Sequence, residues 1–227
     1  MEKVSTDKRD ERREKFLERY WADAKEWGLL AEQQSRIVEP VDVIVSEVVF
    51  SRKWGKSKKA VDIGCGNGKN SVFLAKQGFD VLAVDKSKQA LEIVDRKAKR
   101  EQIDNLHTLL GDIGKIPVPD GYFDLAVSHM ILDLYRMPSR RRYIREIERM
   151  LKPGGVAIIA SEFREDEVEK LKGELGNFKI ISEGHDRFFS YAKGAKLLSG
   201  ETGPYSYWTI VAEKKADSVK DCIKTRA

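Results

Sequence analysis

The sequence predicts an α/β fold, an open and mostly parallel sheet with helices on both faces. Three observations carry that expectation. From residue 60 onward short apolar runs alternate with helical periods five times, the sequence form of right-handed strand–helix–strand units. The first run ends in a glycine turn, Gly64-Cys65-Gly66-Asn67-Gly68, where a parallel sheet places ligands. The last two runs, Phe178 to Ser182 and Tyr205 to Val211, have no good helix between them, as expected of an antiparallel pair at one edge.

Each element follows from local chemistry. Phe16, Leu17, Tyr20, Trp21 and Ala24 recur at helical spacing, as do Ile37, Val41, Ile44, Val45, Val48 and Val49, so two amphipathic helices precede the main domain. A charged connector, Arg52 to Lys59, follows. Ala60 to Gly64 reads as the first strand, and Val72, Phe73 and Leu74 belong to the helix after it. Val81 to Val84 is the second strand. Ser87 then caps a helix whose apolar face is Ala90, Leu91, Val94 and Ala98. Leu106 to Leu110 and Phe123 to Ser128 are the third and fourth strands. After Pro138, the spacing of Tyr143, Ile144, Ile147, Met150 and Leu151 predicts a helix that Lys152-Pro153-Gly154-Gly155 stops. Val156 to Ala160 is the fifth strand, with a short helix near Glu165 to Leu171.

Composition narrows the function. Of 227 residues, 42 are Lys or Arg and 37 are Asp or Glu, for a net charge of only +5. Soluble domains average about 25% charged residues; here the figure is 35%, and both signs are interleaved throughout. That argues against a polycationic tail or a DNA-wrapping protein. With 41% apolar residues the chain can bury a full core. Its longest apolar run, Val156 to Ala160, falls far short of the roughly 18 to 20 residues that cross a bilayer, and Met1-Glu2-Lys3-Val4 opens no signal core. The expectation is a cytoplasmic protein with no membrane partner. Cys65 and Cys222 have neither metal-ligand spacing nor a disulfide framework, so no metal is expected.

Around the glycine turn stand the residues with chemistry. A dinucleotide fingerprint needs G-x-G-x-x-G; here the third glycine comes one residue early, at Gly68, and Lys69 occupies the place of the last glycine. At the end of the second strand Asp85 is placed to accept both hydroxyls of a ribose. One strand further, Gly111-Asp112-Ile113 sets another carboxylate on the same rim, suited to the exocyclic amine of adenine. Carboxylates there disfavour a phosphate-rich ligand and favour a near-neutral or cationic one.

These residues resemble a known family. The D-x-G-x-G-x-G turn from Asp62, Asp85, Gly111-Asp112, the strand Tyr122 to Ser128 and the turn Leu151 to Gly155 look like the successive motifs of class I S-adenosylmethionine-dependent methyltransferases. Within the class, Ile63 to Ser71 and Asp104 to Thr108 are similar to tellurite-resistance-type and related small-molecule methyltransferases. The resemblance implies a Rossmann-like sheet of seven strands with the last antiparallel, a helical cap at 1–54, a cofactor domain at 55–213 and a polar tail at 214–227. It implies S-adenosyl-L-methionine as cofactor, with Gly64 and Gly66 against its methionine part and Asp62 orienting the turn. Asp85 would hold the ribose, and Asp112 with the Ile113 backbone would read adenine. Ser128 and His129 would line the pocket near the sulfonium, with Cys65, Asn70 and Lys86 flanking these contacts and Tyr20 closing over them from the cap.

Methyl transfer needs alignment above all, and a base only where the acceptor keeps its proton. His129 is the candidate base, since imidazole titrates near pH 6.5; the plainer reading is a pocket-wall histidine. Asp133 could orient it. The stripe Tyr20, Trp21 and Trp27 reads as packing or as a lid, and the arginines at 140, 141, 142, 145 and 149 as a solvated helix face. The expected partner is a small-molecule methyl acceptor, the protein being a monomer or homodimer. An RNA or protein acceptor, or a module that binds cofactor without turnover, are the alternatives.

Overall fold

The computed structural model describes residues 42–112, 114–132, 139–161, 163, 165–188 and 205–216. In chain order its elements are α1 (Val43–Ser51), β1 (Lys59–Ile63), α2 (Lys69–Lys76), β2 (Asp80–Asp85), α3 (Lys88–Arg100), β3 (Leu106–Leu110), β4 (Phe123–His129), α4 (Ser139–Met150), β5 (Leu151–Ser161), α5 (Glu165–Glu174), β6 (Phe178–Phe188) and β7 (Tyr205–Lys214). The strands form one seven-stranded sheet in the order β3-β2-β1-β4-β5-β7-β6. Neighbours among β1 to β5 run parallel, and β7 lies between β5 and β6, antiparallel to both. This is the expected fold class.

Strand side chains alternate between faces, so each run feeds two cores. Val61, Ile63, Ala126, Ala157, Ile159 and Ile210 pack against Tyr143, Ile144, Ile147 and Met150 of α4 and Val168 and Leu171 of α5. On the other face Ala60, Val81, Leu125, Val127 and Ile158 meet α1, α2 and α3 through Val45, Val48, Val49, Leu74, Ala75, Leu91 and Val94. Burying a Val or Leu side chain stabilises by about 1.5–3 kcal/mol. The three buried valines of α1 therefore fasten it to the sheet as a layer of the domain, where the sequence suggested a helix of a separate cap. The other cap helix, with Tyr20, Trp21 and Trp27, lies outside the described residues, as do 217–227 of the expected tail.

Two expectations change. The Lys152-Pro153-Gly154-Gly155 turn does stop α4, but it is folded into β5 as a bulge: Phe123 pairs with Leu151, and the next partner of Leu125 is Val156. The arginine row on α4 is a solvated face only in part: Arg141, Arg142 and Arg145 are exposed as expected, while Arg140 and Arg149 turn inward. Arg140 is only 5% exposed, with its guanidinium 3.7 Å from Glu174 and 4.0 Å from Glu167. Arg149 donates to the carbonyls of Ile116 and Val118 and to Glu146 and Asp120, while Arg142 donates to the Gly114 carbonyl. The segment from Gly114 to Gly121 has no ladder to satisfy these carbonyls, and the arginines of α4 supply the donors.

Candidate functional site

The strand order reverses between β1 and β4, which makes the crevice above their carboxyl ends the place where an α/β sheet takes its ligand. The chain leaves β1 through Gly64, whose N–H, with that of Cys65, donates to the Val84 carbonyl at 2.8 and 3.0 Å. Gly64 has φ +69°, and a Cβ there would overlap the Ile131 side chain from the segment after β4. Glycine is thus required both for the turn and for the close approach. Gly68, at φ +77°, starts α2, and a Cβ on it would stand 2.6 Å from Val94 of α3. The glycine that spoils the dinucleotide fingerprint is the one that lets α2 and α3 pack.

The expected carboxylates differ in setting. Asp85 is 8% exposed at the end of β2. Its Oδ2 accepts the Gly66 N–H at 2.9 Å and its Oδ1 the Ser87 N–H at 2.8 Å. Burial pushes its carboxyl above the usual range, and the amides of Ser87, Gly66 and Lys86 work against that rise. Each oxygen keeps acceptor capacity for a diol placed over it. Asp62, 2% exposed, lies beneath the turn and accepts the Ser71 hydroxyl at 2.5 Å. Burial, with the nearby charges of Asp42 and Asp85, pushes it up to about 7 against the pull of Ser71 and Lys69. Asp112 is half-exposed beyond β3, accepts the Gly114 N–H at 2.7 Å, and lies 3.5 Å from Arg142. The Gly111 N–H donates to the Asp85 carbonyl, which ties the two rims together. Lys86 is exposed beside Asp85. Ile113, Asp133 and Tyr20 lie outside the described residues.

At the end of β4, Ser128 is buried with an Oγ that has no hydrogen-bond partner among the described residues. His129 points to the opposite face of the sheet. Its Nδ1 is 3.4 Å from Oδ2 of Asp42, and burial lowers its pKa, with Asp42 opposing and Lys69 adding to that fall. Met130 then takes φ +56°, a left-handed conformation rare for its type, as its N–H donates to the Ala160 carbonyl at 2.6 Å. Cys65 is buried and its thiol is pushed well up by that burial, which suits a filler of the turn.

Asp42 is the residue that sequence reasoning missed. It is fully buried. Its Oδ1 takes the Lys69 ammonium at 2.6 Å, its Oδ2 the Asn70 amide at 2.8 Å, and its own N–H donates to the Asn70 Oδ1 at 3.3 Å. Asn70, expected at the cofactor, therefore has both ends of its amide engaged by Asp42. The available signal was an Asp two residues after Pro40 and before an apolar helix, which reads as an N-cap. It occupies that position, yet its side chain makes no capping bond.

Comparison with known proteins bears on this crevice. Residues 61–159 match the methyltransferase domain family. A demethylmenaquinone methyltransferase of Geobacillus sp. (strain WCH70) is 31% identical over 45% of this chain and 44% of its own length. A TehB protein of Haemophilus influenzae (strain 10810), described as a probable S-adenosyl-L-methionine-dependent methyltransferase, is 30% identical over 55% of this chain and 43% of its own length. The chain thus spans a little under half the length of these curated relatives. Among solved structures the [4+2]-cyclase SpnF shares the fold, with a TM-score of 0.62 at 20% identity over 76% of this chain and 81% of that one.

Proposed function

We propose that this chain, which belongs to the class I S-adenosylmethionine-dependent methyltransferases, transfers a methyl group to a small-molecule acceptor. The observation that carries the reading is Asp85, a buried carboxylate held by the Gly66 and Ser87 amides beside the glycine turn. The residues fit a nucleoside with a cationic tail. Asp85 would hold the ribose hydroxyls, Gly64 and Gly66 would pass close beside the methionine part, and Asp112 would meet adenine. Ser128, with its buried and unpartnered hydroxyl, supplies a polar atom near the same rim.

When bound, S-adenosyl-L-methionine supplies a methyl carbon activated by a positive sulfur, and the electrons of the broken carbon–sulfur bond leave with that sulfur. What remains for the protein is alignment, exclusion of water and, for an acceptor that keeps a proton, its removal. His129, lowered by burial into its neutral form, is the group to take that proton. A small acceptor is favoured by the relative named for demethylmenaquinone.

The fold alone is shared with a cyclase, so activity needs its own test. Incubation with methyl-labelled S-adenosylmethionine and a metabolite pool should transfer label to a small compound. Tight binding of cofactor with no transfer to metabolite, RNA or protein would leave a binding module. S-adenosylhomocysteine should raise the melting temperature and NAD should not; the reverse would make the crevice a dinucleotide site.

A further inference from the structure

The buried cluster around Asp42 joins three elements far apart in the chain. Asp42 stands at the start of α1, Lys69 and Asn70 open α2 directly after the glycine turn, and His129 ends β4. One carboxylate meets all three, at 2.6 Å, 2.8 Å and 3.4 Å. A fully buried carboxylate costs several kcal/mol in desolvation unless its lone pairs are used, so the arrangement is a commitment of the fold and not a surface accident.

We propose that Asp42 is a positioning residue for methyl transfer: it holds the His129 ring through Nδ1 and, through Lys69 and Asn70, ties that ring to the helix that follows the cofactor turn. The inference rests on the methyltransferase reading above. With Nδ1 facing Asp42, a proton given up by the acceptor goes to Nε2, and the imidazolium so formed sits beside a carboxylate. This is the logic by which a base is oriented by a third group. Asp42 sets the tautomer and steadies the charged ring, Lys69 restrains that effect by sharing the carboxylate, and the Asn70 amide fixes its angle. Asp62 on β1, beneath the same turn, also faces Asp42 and Lys69.

The test reads the ring directly, without knowing the acceptor. In full-length protein with 15N-labelled histidine, the His129 resonances should report a proton on Nδ1 near pH 8, free and with S-adenosylhomocysteine bound. Asp42→Asn, which keeps the size and a hydrogen-bonding amide, should lower the titration midpoint of His129 by roughly one pH unit and mix the tautomers. Lys69→Met should move the midpoint upward. Opposite shifts from two neighbouring substitutions are not what loosened packing produces, and Lys69→Met carries the test if Asp42→Asn does not fold. A His129 midpoint indifferent to both changes, or a proton on Nε2 in the wild type, would overturn the proposal. Failure of S-adenosylhomocysteine to bind the wild type would overturn the methyltransferase reading instead, and the two results are distinct.

Discussion

Carboxylates are withdrawn from solvent, wholly or in part, in two regions of this molecule, and the two treat them differently. On α4, partial burial would raise Glu146, but the Arg149 hydrogen bonds, the Ile116 N–H and the charges of Arg149 and Arg142 outweigh it and hold the carboxyl below its usual range. At the crevice, Asp62 is pushed up to about 7, and Asp85 is raised as well, with Lys69 the cation acting on Asp62. Glu146 is matched by a guanidinium, whereas Asp62 and Asp85 have no ion-pair partner among the described residues, Lys69 being taken by Asp42. Structure alone is served by pairing, since an uncompensated buried charge costs stability. The imbalance at the crevice becomes useful only when a positive ligand arrives, and a sulfonium cofactor is one.

The strongest way to break the contrast is at Asp85. Asp85→Ala should weaken S-adenosylhomocysteine binding about 100-fold, roughly 3 kcal/mol for two charge-assisted hydrogen bonds, while far-ultraviolet circular dichroism stays unchanged. Calorimetric affinity within threefold of the wild type would mean that the ribose lies elsewhere. On the structural side, Arg149→Met should cost about 2–3 kcal/mol in urea denaturation, because the Ile116 and Val118 carbonyls and the half-buried Glu146 lose their donor together. It should leave cofactor affinity alone; a loss there would join the two regions that the contrast separates.

How much of this could be read beforehand follows the same division. β3 was legible to the residue, Leu106–Leu110, because Asn105 and Gly111 punctuate it. β6 runs on from Ser182 to Phe188 through Gly184, His185 and Asp186, a polar stretch that pairs through its backbone to β7 at the sheet edge. Backbone pairing leaves no hydropathy signal, so that extension was invisible. Asp85 was legible because a carboxylate at the end of a second strand has a fixed place in a parallel sheet. Asp42 was not, since its partners lie 27 and 28 residues on along α2 and on β4, and only packing of α1 on the sheet brings them together. The arginines of α4 showed their charge in the sequence, but not the carbonyls they would meet.

Asp62 sharpens the contrast through pH. Its carboxyl titrates near 7 in the folded protein against 3.8 ordinarily, so folding favours its protonated form. That contribution to stability is complete below about pH 4 and is lost as the pH rises through 7. Thermal melts of the cofactor-free protein should therefore show Asp62→Asn more stable than the wild type by roughly 1–2 kcal/mol at pH 8 and about equal to it at pH 4. A substitution at Glu146 should show the opposite sense, since a lowered carboxyl contributes above its unfolded pKa and loses that contribution as the pH falls. Equal melting curves for Asp62→Asn and wild type at pH 8 would remove the imbalance from the account.

The smallest effect discriminates most finely. S-adenosylmethionine carries one more positive charge than S-adenosylhomocysteine and otherwise differs by a methyl group, so their ratio of affinities isolates the response of the site to that charge. Below pH 7 Asp62 is largely neutral and meets both molecules alike; above it the carboxylate attracts the sulfonium and is indifferent to the thioether. The preference for donor over product should then grow roughly fivefold between pH 6 and pH 8, as one partly screened charge at several ångströms would give. Asp62→Asn should flatten that rise without abolishing binding, because the ribose contacts of Asp85 serve both molecules. The sign matters for turnover: the charge that favours entry of the donor is lost to the acceptor on transfer, so the same carboxylate that draws the donor in gives the product no added hold. A ratio that stays level across this range in the wild type would show that the buried charge at the crevice serves the fold and not the ligand.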